Sequence, residues 1–516
     1  MSYKQIKYFT QFILLIILII PLLLPLFKPG MFVSDDAGWM IVRLSDFHRS
    51  LADGQFPVRW AGRLNYEYGY PVFNFLYPGV LYFGEIIHLL GFSYISSIKI
   101  LFGLCVIFSA FFSYLWLKIL FKSLPAFFGS LIYMYAPYHI FDLYKRGSLG
   151  EMVALSIVPL VFWSIERKSI FIGSLFMALI ILSHNTLAFL LIPVIMLYAI
   201  VTKKDLKISL LTVFMGFLLS AFFWLPAIFD QQYTIFSNIK VSDWQDFFLG
   251  EKTFFLLGWG STIIFLFSLI LQLKKFKSQI LFFQIIFLLS IYFSIPLSDK
   301  IWDITLLPKI VQFPYRFLSL TILSTAFLGA SILSKFSKRI VIIGGSLLIS
   351  LFIFHSSPLL KGITYEVHEE GYYATNEDTT TVKGEYMPRW VKNAPQERPI
   401  KKAELISGVG EIKLGLVKSN KMIIDANLKT NGQIMVNTIY FPGWYALMDK
   451  KNVEVSYNNP NGVIIIPVGS GQHKIEVFWQ ETPIRLLSDL ISLVAFFSLI
   501  MFYVLKTRKR TNANLH

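Results

Sequence analysis

Two adjacent carboxylates, Asp35 and Asp36, open the stretch FVSDDAGWMIVRLSDFHRSL, which begins at Phe32. A pair of this kind can accept a proton from an attacking hydroxyl or cap the start of a helix. With hard oxygen ligation it can instead hold a divalent metal such as Mg or Mn. His48 follows in the same stretch, and QFPVRWAGRLNYEYGYPVFNFLYP then brings Arg59 and Arg63 among tyrosines and tryptophans. Arginine grips phosphate through paired N–H donors, so such a loop suits a lipid phosphate and a sugar. Aromatic anchoring at a membrane interface is the plainer alternative. Three later segments carry more uncommon polar residues. APYHIFDLYKRGSLGEMVAL holds Asp142, Arg146 and Glu151, ILSHNTL holds His184 and Asn185, and LPKIVQFPYRFLSL holds Gln312 and Arg316.

The elements that must position these groups are membrane helices. Of 516 residues, 55% are hydrophobic and 15% charged, with a mean hydropathy of +0.60. Apolar runs of about 18–25 residues recur along the chain, the mark of spanning helices. The net charge of +16 comes from short Lys and Arg clusters between those runs. That is the positive-inside pattern rather than a nucleic-acid surface. Cys105 is the one cysteine, which excludes an intrachain disulfide and a cysteine-built metal site. The opening run, Tyr8 to Phe27, lacks a small-residue cleavage site and carries Pro21 and Pro25, so it reads as a retained first span.

Placing the clusters around Lys4, Lys118, Arg167, Lys203, Lys274, Lys335 and Lys506 in the cytoplasm pairs the apolar runs as hairpins. These are 125–143 with 151–165, 169–183 with 185–202, 207–229 with 253–273, and 279–295 with 315–334, followed by 339–357 out and 485–505 back. Only one crossing, 98–121, then fits between the first span and Lys118. The segment 73–92, with Pro78, Glu85 and His88, is expected to be re-entrant or interfacial. Residues 1–357 form the membrane domain, with a first external loop at 28–97. Residues 358–484 form an extracytoplasmic, mostly-β domain, 485–505 the last span and 506–516 a basic cytoplasmic tail. Alternation in KMIIDANLKT, GQIMVNTIYF, NVEVSY, GVIIIPV and HKIEVFW predicts strands of a small β-sandwich. Residues 362–402 read as a long polar loop.

Within the first loop, Ser34 is the expected N-cap of an amphipathic helix whose face, Ile41, Leu44, Phe47 and Leu51, could lie on the membrane surface. The topology sets Asp35 and Asp36, the Asp142–Glu151 segment, His184 and the Gln312–Arg316 segment at one depth on the outer side. Four such polar tips point to a shared site. A transporter of lipid-linked glycans would instead need acids and bases buried mid-helix, or repeats with broken helices. A non-catalytic envelope-assembly scaffold would give the tips no reason to converge.

The same residues carry a family resemblance. Gly54, Pro57, Arg59 and Trp60, the GYP-x-F step at Gly69 to Phe73, YKRGSLGE, LSHNTL, VQFPYRFL, GEYMPRW and YFPGWYALMD jointly resemble bacterial GT-C-type membrane proteins. The group is the 6-pyruvoyl-tetrahydropterin synthase-related, YfhO-like one, and Met40 stands where many relatives are expected to have His. The resemblance implies a polytopic fold of about 12–13 membrane helices and a glycosyltransferase using a polyprenyl-phosphate sugar outside the cytoplasm. It implies an acidic base in the first external loop, assigned to Asp36 and second to Asp35. It also implies basic residues around the donor phosphate, for which Arg59, Arg63, Arg146 and Arg316 are the candidates. Glu151, His184, Gln312 and His48 would support them, and Trp444 and Tyr445 would meet a glycan, lipid or protein acceptor. No pterin chemistry follows from the family's label.

Overall fold

The structure, a computed structural model, describes residues 3–202, 205–238, 243–274 and 277–513. Lys203, Lys204 and Lys275 of the basic clusters and the last three tail residues lie outside the described residues. Among the described residues, six helices are long and apolar enough to cross a membrane, or eight if each of two bent pairs is one span. Four shorter apolar helices, among them Ile170–Ser183 and Asn185–Val201, lie between them in the chain. The expected apolar runs are therefore largely helical, but several fall short of a full crossing.

Breaks account for the shortfall. The run expected at 125–143 stops at Tyr135, because Pro137 has no N–H and its ring pushes Ala136 out of helical geometry. The chain restarts as Pro137–Phe141 and passes into a π-helical turn, Asp142–Arg146. The two bent pairs, Leu206–Leu219 with Ala221–Tyr233 and Ser278–Ser294 with Pro296–Ile304, turn by 66° and 83°. Broken helices are thus present, although the residues at the bends, Ser220 and Ile295, are uncharged.

The segment 73–92 does not span as a helix. Its helix, Gly79–Leu89, has 11 residues. At about 1.5 Å per residue it covers roughly half of a ~30 Å hydrocarbon core. Its Glu85, 3% exposed, accepts from His48 Nδ1 at 2.8 Å. The amphipathic helix of the first loop is Ala37–Ala52. Ile41, Leu44 and Phe47 on it are buried in protein rather than laid on lipid. Phe47 packs edge-on against Phe73 and Tyr82, at 5.5 and 4.9 Å.

The sandwich has two antiparallel sheets. One runs Gly410–Val417, Lys421–Leu428, Gly471–Trp479, Trp444–Met448, Lys451–Val453. The other runs Ala403–Ser407, Gly432–Ile439, Val463–Val468. Alternate residues of Lys421–Leu428 turn inward, so Met422, Ile424, Ala426 and Leu428 are buried. Trp60 and Phe75 of the first loop are buried in this same core. Trp60 stacks on Trp479 at 5.1 Å and meets Trp444 edge-on at 5.6 Å. The polar 362–402 segment straps the first loop down. Val33 N–H donates to Thr364 O, Tyr66 N–H to Glu377 O, and the Tyr70 hydroxyl bonds Thr381 Oγ1.

Two buried ionic ties fasten the last helix, Pro483–Ala513, to the rest. Arg485 is fully buried and donates from Nε to Asp230 Oδ2 at 2.9 Å, an oxygen that also accepts from Asn74 Nδ2. Arg59 donates to Glu481, to Asp489 and to Phe222 O. Leaving one buried charge unpaired costs about 3–5 kcal/mol. Asp230→Ala should therefore lower the thermal midpoint in detergent, and Asp230→Ala with Arg485→Met should recover part of the loss. Equal midpoints for wild type and Asp230→Ala would remove the tie from the account.

Asp46 supplies a pH-dependent contribution. It is fully buried, one oxygen accepts from the Arg63 N–H at 3.3 Å, and Oδ2 has no hydrogen-bond partner among the described residues. Burial raises its pKa to about 6, against the pull of Arg63 and Arg49. A carboxyl whose pKa is higher folded than unfolded favours the fold only while protonated, so its contribution turns unfavourable as pH rises through about 6. Asp46→Asn should stabilise the protein near pH ~8 by about 1–3 kcal/mol, with the gain vanishing near pH ~4. Thermal midpoints across that range check it.

Candidate active site at the helix tips

The π-helical turn builds the centre of the site. A π turn advances the backbone by an extra residue and presents Asp142 and Arg146 together, so that Arg146 Nη1 donates to Asp142 Oδ1 at 2.9 Å. Gly147 ends the turn at φ +61°, a conformation open to glycine at little cost. A Cβ there would stand 2.3 Å from Ser34 Oγ. The missing side chain thus lets the first loop close onto the turn. Asp35 N–H donates to Lys145 O at 3.1 Å and Asp36 N–H to Arg146 O at 2.9 Å. Ser34 Oγ accepts from the Ala37 N–H at 3.3 Å, but the helix starts at Ala37 with Asp36 in the N-cap position, two residues later than expected. Neither aspartate carboxylate caps it.

Glu151 is the buried hub. It is 0% exposed and accepts from Arg146 Nη1, from Arg316 Nε at 2.8 Å, and from the Tyr138 hydroxyl at 3.3 Å. His184 Nε2 lies 3.6 Å from the same carboxylate. His184 Nδ1 accepts the Leu187 N–H and caps the helix Asn185–Val201, which leaves its proton on Nε2, facing Glu151. Burial holds the His184 pKa down at about 3, so the ring is neutral. Arg316 also donates from Nη1 to Gln312 Oε1 at 2.9 Å and to Val311 O at 2.8 Å. Its guanidinium lies 4.8 Å from the Phe313 ring centre, and Arg146 lies 5.5 Å from that of Tyr315. The Nη2 atoms of Arg146 and Arg316 have no protein acceptor among the described residues.

Five expected residues, Arg146, Glu151, His184, Gln312 and Arg316, thus meet, with Asp35 and Asp36 bonded to the same turn. Asp35 is exposed and Asp36 half-exposed. Desolvation by the surrounding tips raises the Asp35 pKa, with Lys145 and then Arg146 opposing it. Two residues of this site escaped the sequence reading. Lys145 is exposed beside Asp35. Tyr77 packs its ring 5.1 Å from that of His184, within range of the charges of Asp36, Arg43, Glu151 and Arg316. The basic dipeptide in YKRGSLGE was the signal for Lys145, and only its second member was taken.

Four expected residues have other partners. Arg59 is spent on Glu481 and Asp489. Arg63 is buried and donates to Ser45 Oγ at 2.7 Å, Val42 O at 3.1 Å and Ala374 O, fastening the strap. His48 pairs with Glu85 and packs edge-on against His88 at 4.7 Å. Trp444 is 1% exposed inside the sandwich, so no acceptor can reach it, whereas Tyr445 is 43% exposed on the opposite face of the same strand. Among the described residues, no three His, Cys, Asp or Glu side chains are grouped to hold a metal. Asp35 and Asp36 therefore have no further protein ligand of those types with which to complete a metal site.

Comparison with known proteins places this chain in a family. The profile described as "6-pyruvoyl-tetrahydropterin synthase related domain; membrane protein" matches residues 73–363, the span that holds Tyr77, Lys145, Arg146, Glu151, His184 and Arg316. A protein of Lactococcus lactis subsp. cremoris (strain MG1363), described as uncharacterized, is 24% identical over 308 residues, 54% of this chain and 48% of its own length. The chain thus spans about half the length of that curated relative. The archaeal oligosaccharyltransferase AglB from Archaeoglobus fulgidus, solved with an inhibitory peptide and a dolichol-phosphate, superposes with a TM-score of 0.47 at 12% identity, over 73% of this chain and 57% of its own. An overlap that loose decides nothing about activity. The family match covers more than half of the sequence, and the chain belongs to the 6-pyruvoyl-tetrahydropterin synthase-related family of membrane proteins.

Proposed function

We propose that this protein is a membrane glycosyltransferase of GT-C type. It moves a sugar from a polyprenyl-phosphate carrier to a hydroxyl of an extracytoplasmic glycan, lipid or protein. The observation that carries the reading is the pair of backbone hydrogen bonds joining Asp35 and Asp36 to the carbonyls of Lys145 and Arg146. They hold a proton acceptor and a set of cations at fixed separation, as a displacement with an anionic leaving group requires.

The acceptor oxygen attacks the anomeric carbon as the bond from that carbon to the phosphate oxygen breaks. Its proton passes to Asp36, and the polyprenyl phosphate departs as an anion. One displacement inverts the anomeric centre. Lys145, Arg146 and Arg316 meet the developing negative charge. Glu151 keeps both guanidiniums in place, with neutral His184 Nε2 beside it at 3.6 Å. An apolar groove of about 410 Å³, lined by Phe255, Phe354, Pro358 and Leu359, offers the prenyl chain a path. Its walls pack on the helix Pro137–Phe141 that leads into the π turn. The Lys and Arg clusters at the other helix ends support an outward-facing site. The reaction as written needs no metal.

Asp36→Asn should lower sugar transfer from a panel of polyprenyl-phosphate sugars by ~10²–10⁴-fold while the protein still inserts and folds. Full activity in both Asp36→Asn and Asp35→Asn would overturn the base assignment. Lys145→Gln should raise the KM for donor about tenfold, the worth of one charge-assisted hydrogen bond, with little change for acceptor. An unchanged donor KM would take Lys145 out of the phosphate site. EDTA should leave transfer intact, and rescue of an EDTA-dead enzyme by Mg or Mn would put a metal on the two aspartates.

A further inference from the structure

A second polar cavity lies where the first loop meets the sandwich, and it shares no residue with the cluster around Glu151. Its volume is about 90 Å³, some three times the ~30 Å³ that a water occupies in the liquid. Three cations line it, Arg49, Lys402 and Lys418, against one acid, Glu67. Ser419 and Thr438 add hydroxyls.

Among the described residues none of the three cations is hydrogen-bonded to a carboxylate, though Arg49 acts on Asp46 and Lys402 on Glu67 through space. Lys402 Nζ donates to two neutral carbonyls, Glu67 O and Asn437 O, the latter at 3.0 Å. An ammonium has three donors, so one remains. Burial lowers the Lys402 pKa to about 8; Arg49 adds to the drop and Glu67 opposes it. The Glu67 carboxylate has Arg398 at 3.9 Å, a guanidinium whose closer partner is Glu377. The Arg49 guanidinium is exposed and has no acceptor among the described residues. Lys418 Nζ reaches only the Asp53 carbonyl, at 3.4 Å. Three cations against one lining acid make the pocket wall net positive, which suits an entering anion.

The walls are also built to stay in place. The Ser419 N–H donates to Asp53 Oδ2 at 2.7 Å and Gln55 Nε2 to Ser419 Oγ at 3.1 Å, so the strand turn is pinned to the first loop. Gly62 allows that contact, since a Cβ there would stand 2.6 Å from Ser419 Cβ.

We propose that this junction is a binding site for a phosphate-class oxyanion, held by Arg49, Lys402 and Lys418. Bound there, the anion bridges loop and sandwich. The chemistry is shared by free phosphate and by a phosphodiester carried on a larger molecule.

The test is isothermal titration of the full chain in uncharged detergent, at constant ionic strength, with inorganic phosphate and with glycerophosphoglycerol. Saturable binding of at least one is expected, weakened tenfold or more by Arg49→Gln with Lys418→Gln. Both side chains are at the surface of the junction, so the variant keeps the fold, as its thermal midpoint verifies. Tighter phosphate binding assigns the free ion, and tighter diester binding assigns a carried phosphate. Lys145→Gln should leave this binding unchanged, which separates it from the donor site. No saturable binding, binding equal in the double variant, or binding lost in Lys145→Gln would overturn the proposal.

Discussion

One end of this molecule depends on one buried carboxylate. Glu151 is inaccessible to water, and an ionised carboxylate there is tolerable only because Arg146 and Arg316 both donate to it. Each arginine comes from a different part of the chain, so their meeting on Glu151 fixes how the π turn, the start of the helix Leu149–Glu166 and the start of the helix Leu318–Leu333 sit together. His184 joins from a fourth element. A bridge of this kind contributes little net stability, since desolvation offsets most of the attraction. Its contribution is geometric, because only one arrangement of the elements satisfies all the partners.

The first loop is organised by what surrounds it. Its start bonds the π turn, its helix packs into the membrane-domain core, and its arginines hold the strap and the last helix. The arginines that look most exposed to chemistry in the linear sequence are therefore fasteners. Rigid backing of this sort suits a loop whose two aspartates must hold position against charged neighbours.

The legible part of the site was the part that topology controls. Arg146, Glu151, His184, Gln312 and Arg316 fall at helix ends, and counting crossings set those ends at one level. The short helix Gly79–Leu89 lies in the segment expected to be re-entrant or interfacial. The partners of Arg59 and Arg63 could not be read, because Glu481, Asp489 and the Ala374 carbonyl are hundreds of residues away in sequence. Pairing Trp444 with Tyr445 as acceptor contacts was avoidable. Neighbours in a strand point to opposite faces, so both could not meet one acceptor. The strands Ala403–Ser407 and Gly410–Val417 were missed because glycines and charges blur their alternation, and Pro137 hid the turn on which the site is built.

Trp60 and Phe75 inside the sandwich core also set a schedule. The ribosome makes them about 380 residues before Trp444. At roughly 5–20 residues per second, that is a wait of about 20–75 s. Through that interval two large aromatic side chains have no permanent place to go. Until the last strands arrive, the loop depends on the lipid surface or on neighbouring helices to shelter them, so maturation of the loop and the sandwich is ordered in time by the final strands of the chain.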